Sequence, residues 1–161
     1  MKGRVRNTME DELFKKMERD LALPIALAKE MIASLGKEKA REIILRAYIA
    51  YQSERLISGM EHLPPEKRDL RVYGKKVREI TDSYQGNIEL VEASDKVIRL
   101  KVKRCIPWEI FKKHGVPEMG LMFCACDFEA TKAINPRMKL IRTKTISAGH
   151  DECNHMWVME E

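Results

Sequence analysis

Four side chains toward the C-terminal end of the chain carry chemistry in combination: the thiol of Cys124, the carboxylate of Asp127, the guanidinium of Arg142 and the imidazole of His155. If the apolar run from Leu121 to Ile134 is a helix, Cys124, Asp127 and Thr131 share one face at i, i+3 and i+7. If the segment CNHMWVM is a strand, Cys153, His155 and Trp157 share a face, because side chains alternate with a period of two. Arg142 falls on the strand expected to pair with it. A helix packed on that sheet would bring together a nucleophile, a carboxylate, a proton carrier and a fork for anions. Placement of Cys124 in a helix's first turn, and Arg142 nearby, would favour its thiolate, whereas Asp127 would oppose it. Asp127 could instead be the base that activates water, with Cys124 as a wall of the pocket.

The same residues have plainer readings. Cysteine is among the most buried residue types, and Cys124 and Cys126 stand among Phe123, Ala125 and Phe128. Cys105, beside Ile106 on an expected strand, reads as core. Asp127 and Arg142 could form a structural ion pair, and His155 could be a satisfied sheet histidine. His150 reads as a turn residue, and His62 and His114 as loop or helix-end residues with no partners. A zinc site drawn from Cys124, Cys126, Cys153 and His155 has permissive spacing. Two cysteines two positions apart on a helix diverge, however, which argues against both that site and a Cys124–Cys126 disulfide. No metal and no cofactor is expected.

The elements that must position these groups follow from periodicity. The first half reads as helical. A capping-box-like start at Thr8 and Asp11 leads into Leu13, Met17 and Leu21, and a second segment runs Leu23 to Leu35, stopped by Gly36. A third helix, Glu38 to Ile57, carries the stripe Ala40, Ile43, Ile44, Ala47, Tyr48 and Tyr51. Pro64-Pro65 starts a fourth helix that frays near Gln85-Gly86. From Asn87 the period changes. Ile88 and Leu90, then Ile98, Leu100 and Val102, alternate as a hairpin. A short helix at Pro107 and the longer one ending at Asn135-Pro136 are inserted before a second hairpin, Met138–Ser147 with Cys153–Met159. The fold class expected is α+β: an N-terminal helical layer on a four-stranded antiparallel sheet with inserted helices. One domain, 1–161, is expected, with a helical part 8–85 and an α/β part 87–161.

Composition excludes several functions. The net charge is +5 and the pI about 9.0, but the basic residues are dispersed. Their densest strip, Arg99, Lys101, Lys103 and Arg104, reads as the solvated face of a strand. Nucleic acid is therefore not the expected partner. No apolar run is long enough to span a bilayer, and the N-terminal MKGRVRNTMEDELFKK has no apolar export segment. A cytoplasmic location with reduced cysteines is expected. There is no phosphate loop, GxGxxG, HExxH, GxSxG or EF-hand pattern. A small molecule is the expected partner, and assembly of identical copies stays open.

The order Cys124-x-x-Asp127, Asn135-Pro136, Arg142-Thr143-x-Thr145 and Gly149-x-x-x-Cys153 resembles the signature of the L-2-amino-thiazoline-4-carboxylic acid hydrolase family. The resemblance implies opening of a cyclic thiazoline at its C=N carbon, toward cysteine. On that substrate, Cys124 would add to the amidine-like carbon and His155 would move protons. Asp127 would hold the cationic amidine or activate water, and Arg142 would grip the carboxylate, with Thr143 and Asn135 as further substrate contacts. The alternative is a binding or sensor module without catalysis, since a helical layer on an antiparallel sheet also resembles the small-molecule-binding domain of 4-vinyl reductase relatives.

Overall fold

The computed structural model describes the backbone of residues 2–84 and 86–160, and side chains from Glu12 onward within that range. Helix α1 runs Lys2–Leu35 with Pro24 inside it. The expected start at Thr8 and the break near Leu21 are therefore corrected; the capping side chains of Thr8 and Asp11 lie outside the described residues. An interior proline costs roughly 3 kcal/mol and one hydrogen bond. The stripe Leu13, Phe14, Met17, Leu21, Ile25, Ala28, Met31 and Ile32 continues past it into one core. Burial of that unbroken stripe, at roughly 25 cal/mol per Å², outweighs the loss.

Gly36, at φ 79, ends α1 and opens α2, Lys37–Ile57. Its N–H donates to the Ile32 carbonyl and its own carbonyl accepts from Ala40, both at 3.1 Å. A positive φ is open to glycine at no steric cost. A 3₁₀ turn, Pro65–Lys67, stands where a helix was expected to begin, and α3 is Leu70–Ser83. Asp69 caps α3 by accepting from the Val72 N–H at 2.9 Å. Three α-helices, rather than the four expected, thus precede Asn87. The fraying expected at Gln85 lies outside the described residues.

The sheet comprises β1 (Ile88–Ala93), β2 (Ile98–Val102), β3 (Met138–Ile141) and β4 (Cys153–Met159), antiparallel throughout, in the order β1-β2-β4-β3. Helices α4 (Ile106–Lys113) and α5 (Glu118–Ile134) lie between β2 and β3 in the chain. Cys105 is therefore the residue before α4, not a strand residue. The architecture is α+β, helices packed on a four-stranded antiparallel sheet. Register aligns two rows across the inner face: Leu90, Leu100 and His155, then Ala93, Ile98, Trp157 and Leu140. Directly opposed residues share a face, so His155 is placed in a row that is otherwise aliphatic.

One core joins the sheet to α3 and α5, with Tyr73 meeting Trp157 edge to face at 5.6 Å. A second joins α1, α2, α4 and α5. The α2 stripe is not fully closed. Ala47 and Tyr51, members of the expected apolar stripe, are exposed, because α1 and α2 leave a cavity between them there.

Two glycines give opposite expectations. A Cβ at Gly120 would overlap Trp108 Cε3 and stand 2.9 Å from its Cζ3. A Cβ at Gly74, in mid-α3, would meet only ordinary contacts, the nearest being Ile98 Cδ1 at 3.7 Å. Gly120→Ala should lower unfolding free energy by about 1–3 kcal/mol through overpacking. Gly74→Ala should raise it by about 0.5–1 kcal/mol through helix propensity and a less entropic unfolded chain. Urea unfolding of both variants measures the pair, and shifts of the same sign would contradict the packing described.

Candidate functional site

Helix α5 buries Met119, Met122, Cys126, Ala130 and Ile134, which turns Cys124, Asp127 and Thr131 toward the end of the sheet. Thr131 locks this face. Its hydroxyl accepts from the Trp157 indole at 3.1 Å and donates to the Asp127 carbonyl at 2.7 Å. The helix begins at Glu118, after Pro117. Cys124 is therefore in its second turn, not its first as expected, and the helix end lends its thiol little, since that field fades within one turn.

Strand β3 stops at Ile141, not at the expected Ser147. The reason is Asn154 on β4. Its side-chain oxygen accepts from the N–H groups of Thr143 at 3.0 Å and Lys144 at 2.6 Å, and its amide donates to the Thr143 hydroxyl at 2.8 Å. A side chain thus takes the place of the backbone ladder, and the chain leaves the sheet into a 3₁₀ turn, Ile146–Ala148. This departure starts at Arg142 and delivers Ser147 to Cys124.

Arg142 joins the site together. Its side chain is only 4% exposed. Nη1 donates to Asp127 Oδ2 at 2.7 Å and faces His155 Nε2 at 3.0 Å, while Nη2 donates to the Cys124 carbonyl at 2.6 Å. The guanidinium also covers the Phe128 ring at 4.9 Å. A guanidinium only donates, so His155 Nε2 accepts and the ring proton sits on Nδ1. That Nδ1 is buried and has no hydrogen-bond partner among the described residues. The imidazole stacks on Trp157 at 5.6 Å and lies 3.8 Å from Asp127 Oδ2. Enclosed by these partners, Arg142 has little left to offer an incoming carboxylate.

Cys124 is half-buried, its Sγ 3.3 Å from Ser147 Oγ. Burial pushes its thiol up; the Ser147 hydrogen bond and Arg142 pull it down, and Asp127 adds to the rise. Cys126 is fully buried, donates to the Phe123 carbonyl at 2.9 Å and is pushed up to about 12 by burial first and Asp127 next. Burial likewise takes Cys105 up to about 12, with Cys124 and Cys153 adding to it. Cys153 is buried, its sulfur accepting from the Ile146 N–H at 3.2 Å.

Cys124, Asp127, Arg142 and His155 are thus brought together; Thr143 and Asn135 are not with them. Thr143 is exposed and held by Asn154. Asn135 is 1% exposed at the C-terminal end of α5, where it accepts from the Arg137 N–H at 2.9 Å and faces the Arg68 carbonyl. Among the described residues, no group of three or more His, Cys, Asp or Glu is arranged to hold a metal ion. His114, expected to lack a partner, meets Glu18 at 2.8 Å across 96 positions of sequence. Ser147 and Asn154 escaped the sequence reading, since their roles arise only once β3 ends early. A cavity lies elsewhere, between α1 and α2.

Among the described residues, no helix is long and apolar enough to cross a membrane. No curated protein matches the chain. Among solved structures, the crystal structure of the phenol-responsive sensory domain of the transcription activator PoxR with phenol is similar, with a TM-score of 0.50 and 15% identity. The match covers 86% of this chain and 73% of that one, a likeness of fold. The sequence profile described as L-2-amino-thiazoline-4-carboxylic acid hydrolase matches residues 15–157. That span holds the buried residues of both cores and the whole Cys124–His155 cluster, and the chain belongs to the L-2-amino-thiazoline-4-carboxylic acid hydrolase family.

Proposed function

We propose that the chain hydrolyses a small cyclic C=N substrate of the thiazoline type, with Cys124 as nucleophile, Asp127 and His155 as its polar partners and Arg142 as a positioning residue. The observation that carries this reading is the guanidinium that binds Asp127, His155 and the Cys124 carbonyl at once. It sets a thiol one helical turn from a carboxylate that is 22% exposed.

The resting thiol is protonated at neutral pH, because burial raises it. That suits an amidine-like substrate. The thiol proton passes to the ring nitrogen, so the substrate serves as its own base, and Asp127 faces the amidinium so formed. As the S–C bond forms, the C=N π pair goes to nitrogen. The tetrahedral adduct then collapses by breaking the ring C–S bond, whose sulfur leaves as a thiol with a proton from the amidinium nitrogen. Water adds to the same carbon and displaces the Cys124 thiol, which leaves the ring open and the carbon as a carbamoyl group on nitrogen, a step toward cysteine. A second reading, ligand binding without turnover, draws on the same raised thiol and on a shared fold with a sensory domain solved with phenol.

Two measurements decide between them. In the first, wild type, Cys124→Ser and Asp127→Asn are assayed for ring opening of L-2-amino-thiazoline-4-carboxylate. A loss of about 10³-fold or more in both folded variants is expected for a nucleophile and its partner. Activity kept in Cys124→Ser but lost in Asp127→Asn would move the attack to carboxylate-activated water, and no turnover by wild type would leave the binding reading.

The second is competitive alkylation with site assignment by mass spectrometry. Cys124 should label before Cys105 and Cys126, whose thiols stand at about 12. Because the Cys124 thiol lies above its usual 9.0, its thiolate fraction is small at neutral pH, and the labelling rate should climb as pH passes the ordinary thiol range. Ser147→Ala removes a hydrogen bond that lowers this thiol, so its profile should move to higher pH; a move to lower pH would contradict the assignment.

A further inference from the structure

The cavity between α1 and α2 has a volume of about 620 Å³, within the range that accepts small molecules. None of Cys124, Asp127, Arg142 and His155 lines it. One face of α2 does, through Ile44, Tyr48, Gln52 and Arg55. Their spacings of four, four and three keep them on one stripe, which rises roughly 16 Å along the helix. The stripe passes from aliphatic to phenolic to amide to guanidinium. The opposite wall, from α1 and α5, is apolar, with Leu21, Met31 and Phe123 among its residues.

One polar group on this stripe lacks a counter-charge. Arg55 donates to Gln52 Oε1 at 3.2 Å, but among the described residues it forms no ion pair with a carboxylate. Tyr48 lines the cavity with its ring, its hydroxyl being buried. Asp20, the acidic residue on the wall, is exposed to water on α1. A cation at one end of an apolar cleft matches an anion carried on an apolar body.

We propose that this cavity binds an amphipathic carboxylic acid, its apolar body lying along α2 over the Tyr48 ring toward Ile44 and its carboxylate meeting Arg55. This site is separate from the Cys124 cluster and holds whether or not the chain turns over a thiazoline.

Titration calorimetry of the full chain with decanoate, 2-naphthoate and decanol tests the proposal. At least one of the two carboxylates should bind at one per chain, and decanol should bind about tenfold more weakly or not at all, since it lacks the charge-assisted bond. Arg55→Gln should weaken the carboxylate by about tenfold and leave decanol unchanged. Ala47→Trp, at an exposed position of the wall, should fill the cavity and abolish binding while the protein still unfolds cooperatively. The proposal is overturned if neither carboxylate binds, if decanol binds as well as decanoate, or if folded Arg55→Gln binds as wild type. Should Arg55→Gln fail to fold, carboxylate binding that survives in folded Ala47→Trp overturns it equally.

Discussion

A guanidinium held at 4% exposure, between the second hairpin and α5, is the constraint around which this end of the molecule is built. A buried charge must be met by acceptors, or its desolvation is unrecovered. Arg142 meets three, on two elements: the Asp127 carboxylate and the Cys124 carbonyl on α5, and the His155 imidazole on β4. The carbonyl is already an acceptor within a helix, so its second lone pair becomes a docking point for a residue outside it. A planar fork spreads its donors over separate nitrogens, and so reaches acceptors set farther apart than the single nitrogen of an ammonium can. The angle between α5 and the sheet's last strand is thereby tied to the geometry of one side chain.

The apolar surroundings make that tie specific. His155 sits opposite Leu100 in an inner row of the sheet, and its ring is clamped against Trp157, whose indole is fixed by Thr131. Thr131 in turn bonds the carbonyl of Asp127. A closed path therefore runs from Asp127 through Thr131, Trp157 and His155 to Arg142 and back to Asp127. Each member fixes the rotamer of the next, which is the supporting arrangement a reactive cluster needs if its atoms are to stay within a few tenths of an ångström. The cost is an imidazole N–H left unpaired in the interior.

Much of this was legible in the residues themselves, and what was not depended on contacts distant in sequence. Alternation at Ile98, Leu100 and Val102 and at Cys153, His155 and Trp157 marked strands and their inner faces correctly. The spacing of Cys124 and Asp127 placed them on one side of α5. The end of β3 was not legible, because an asparagine twelve positions beyond Arg142 replaces backbone partners with its side chain. The sequence reads as two helical segments, one through Leu21 and one from Leu23 to Leu35, yet a single helix continues through Pro24, where local preference opposes it. Only the stripe buried on α2, α4 and α5 keeps the helix whole. On α2, Tyr48 and Tyr51 belong to the expected apolar stripe; the spacing holds, but helical periodicity does not distinguish a face that packs from one that lines a cavity.

Helix α5 is the wall common to the cluster and the cavity, and its geometry decides how far they can influence each other. Phe123 faces the cavity and packs edge to face on Tyr48 at 5.5 Å and on Phe111 at 6.2 Å. Cys124, the next residue, is turned by roughly 100° about the helix axis and faces Ser147. Consecutive residues thus serve different faces of one rod. The Phe123 carbonyl is tied by the Cys126 thiol and the Cys124 carbonyl by Arg142, so neither peptide can rotate without breaking a bond. A molecule pressing on Phe123 would therefore have to displace α5 as a unit to reach Cys124. That displacement would pull on both bonds that tie Arg142 to α5, so the stiffness of the shared helix resists transmission between the two sites.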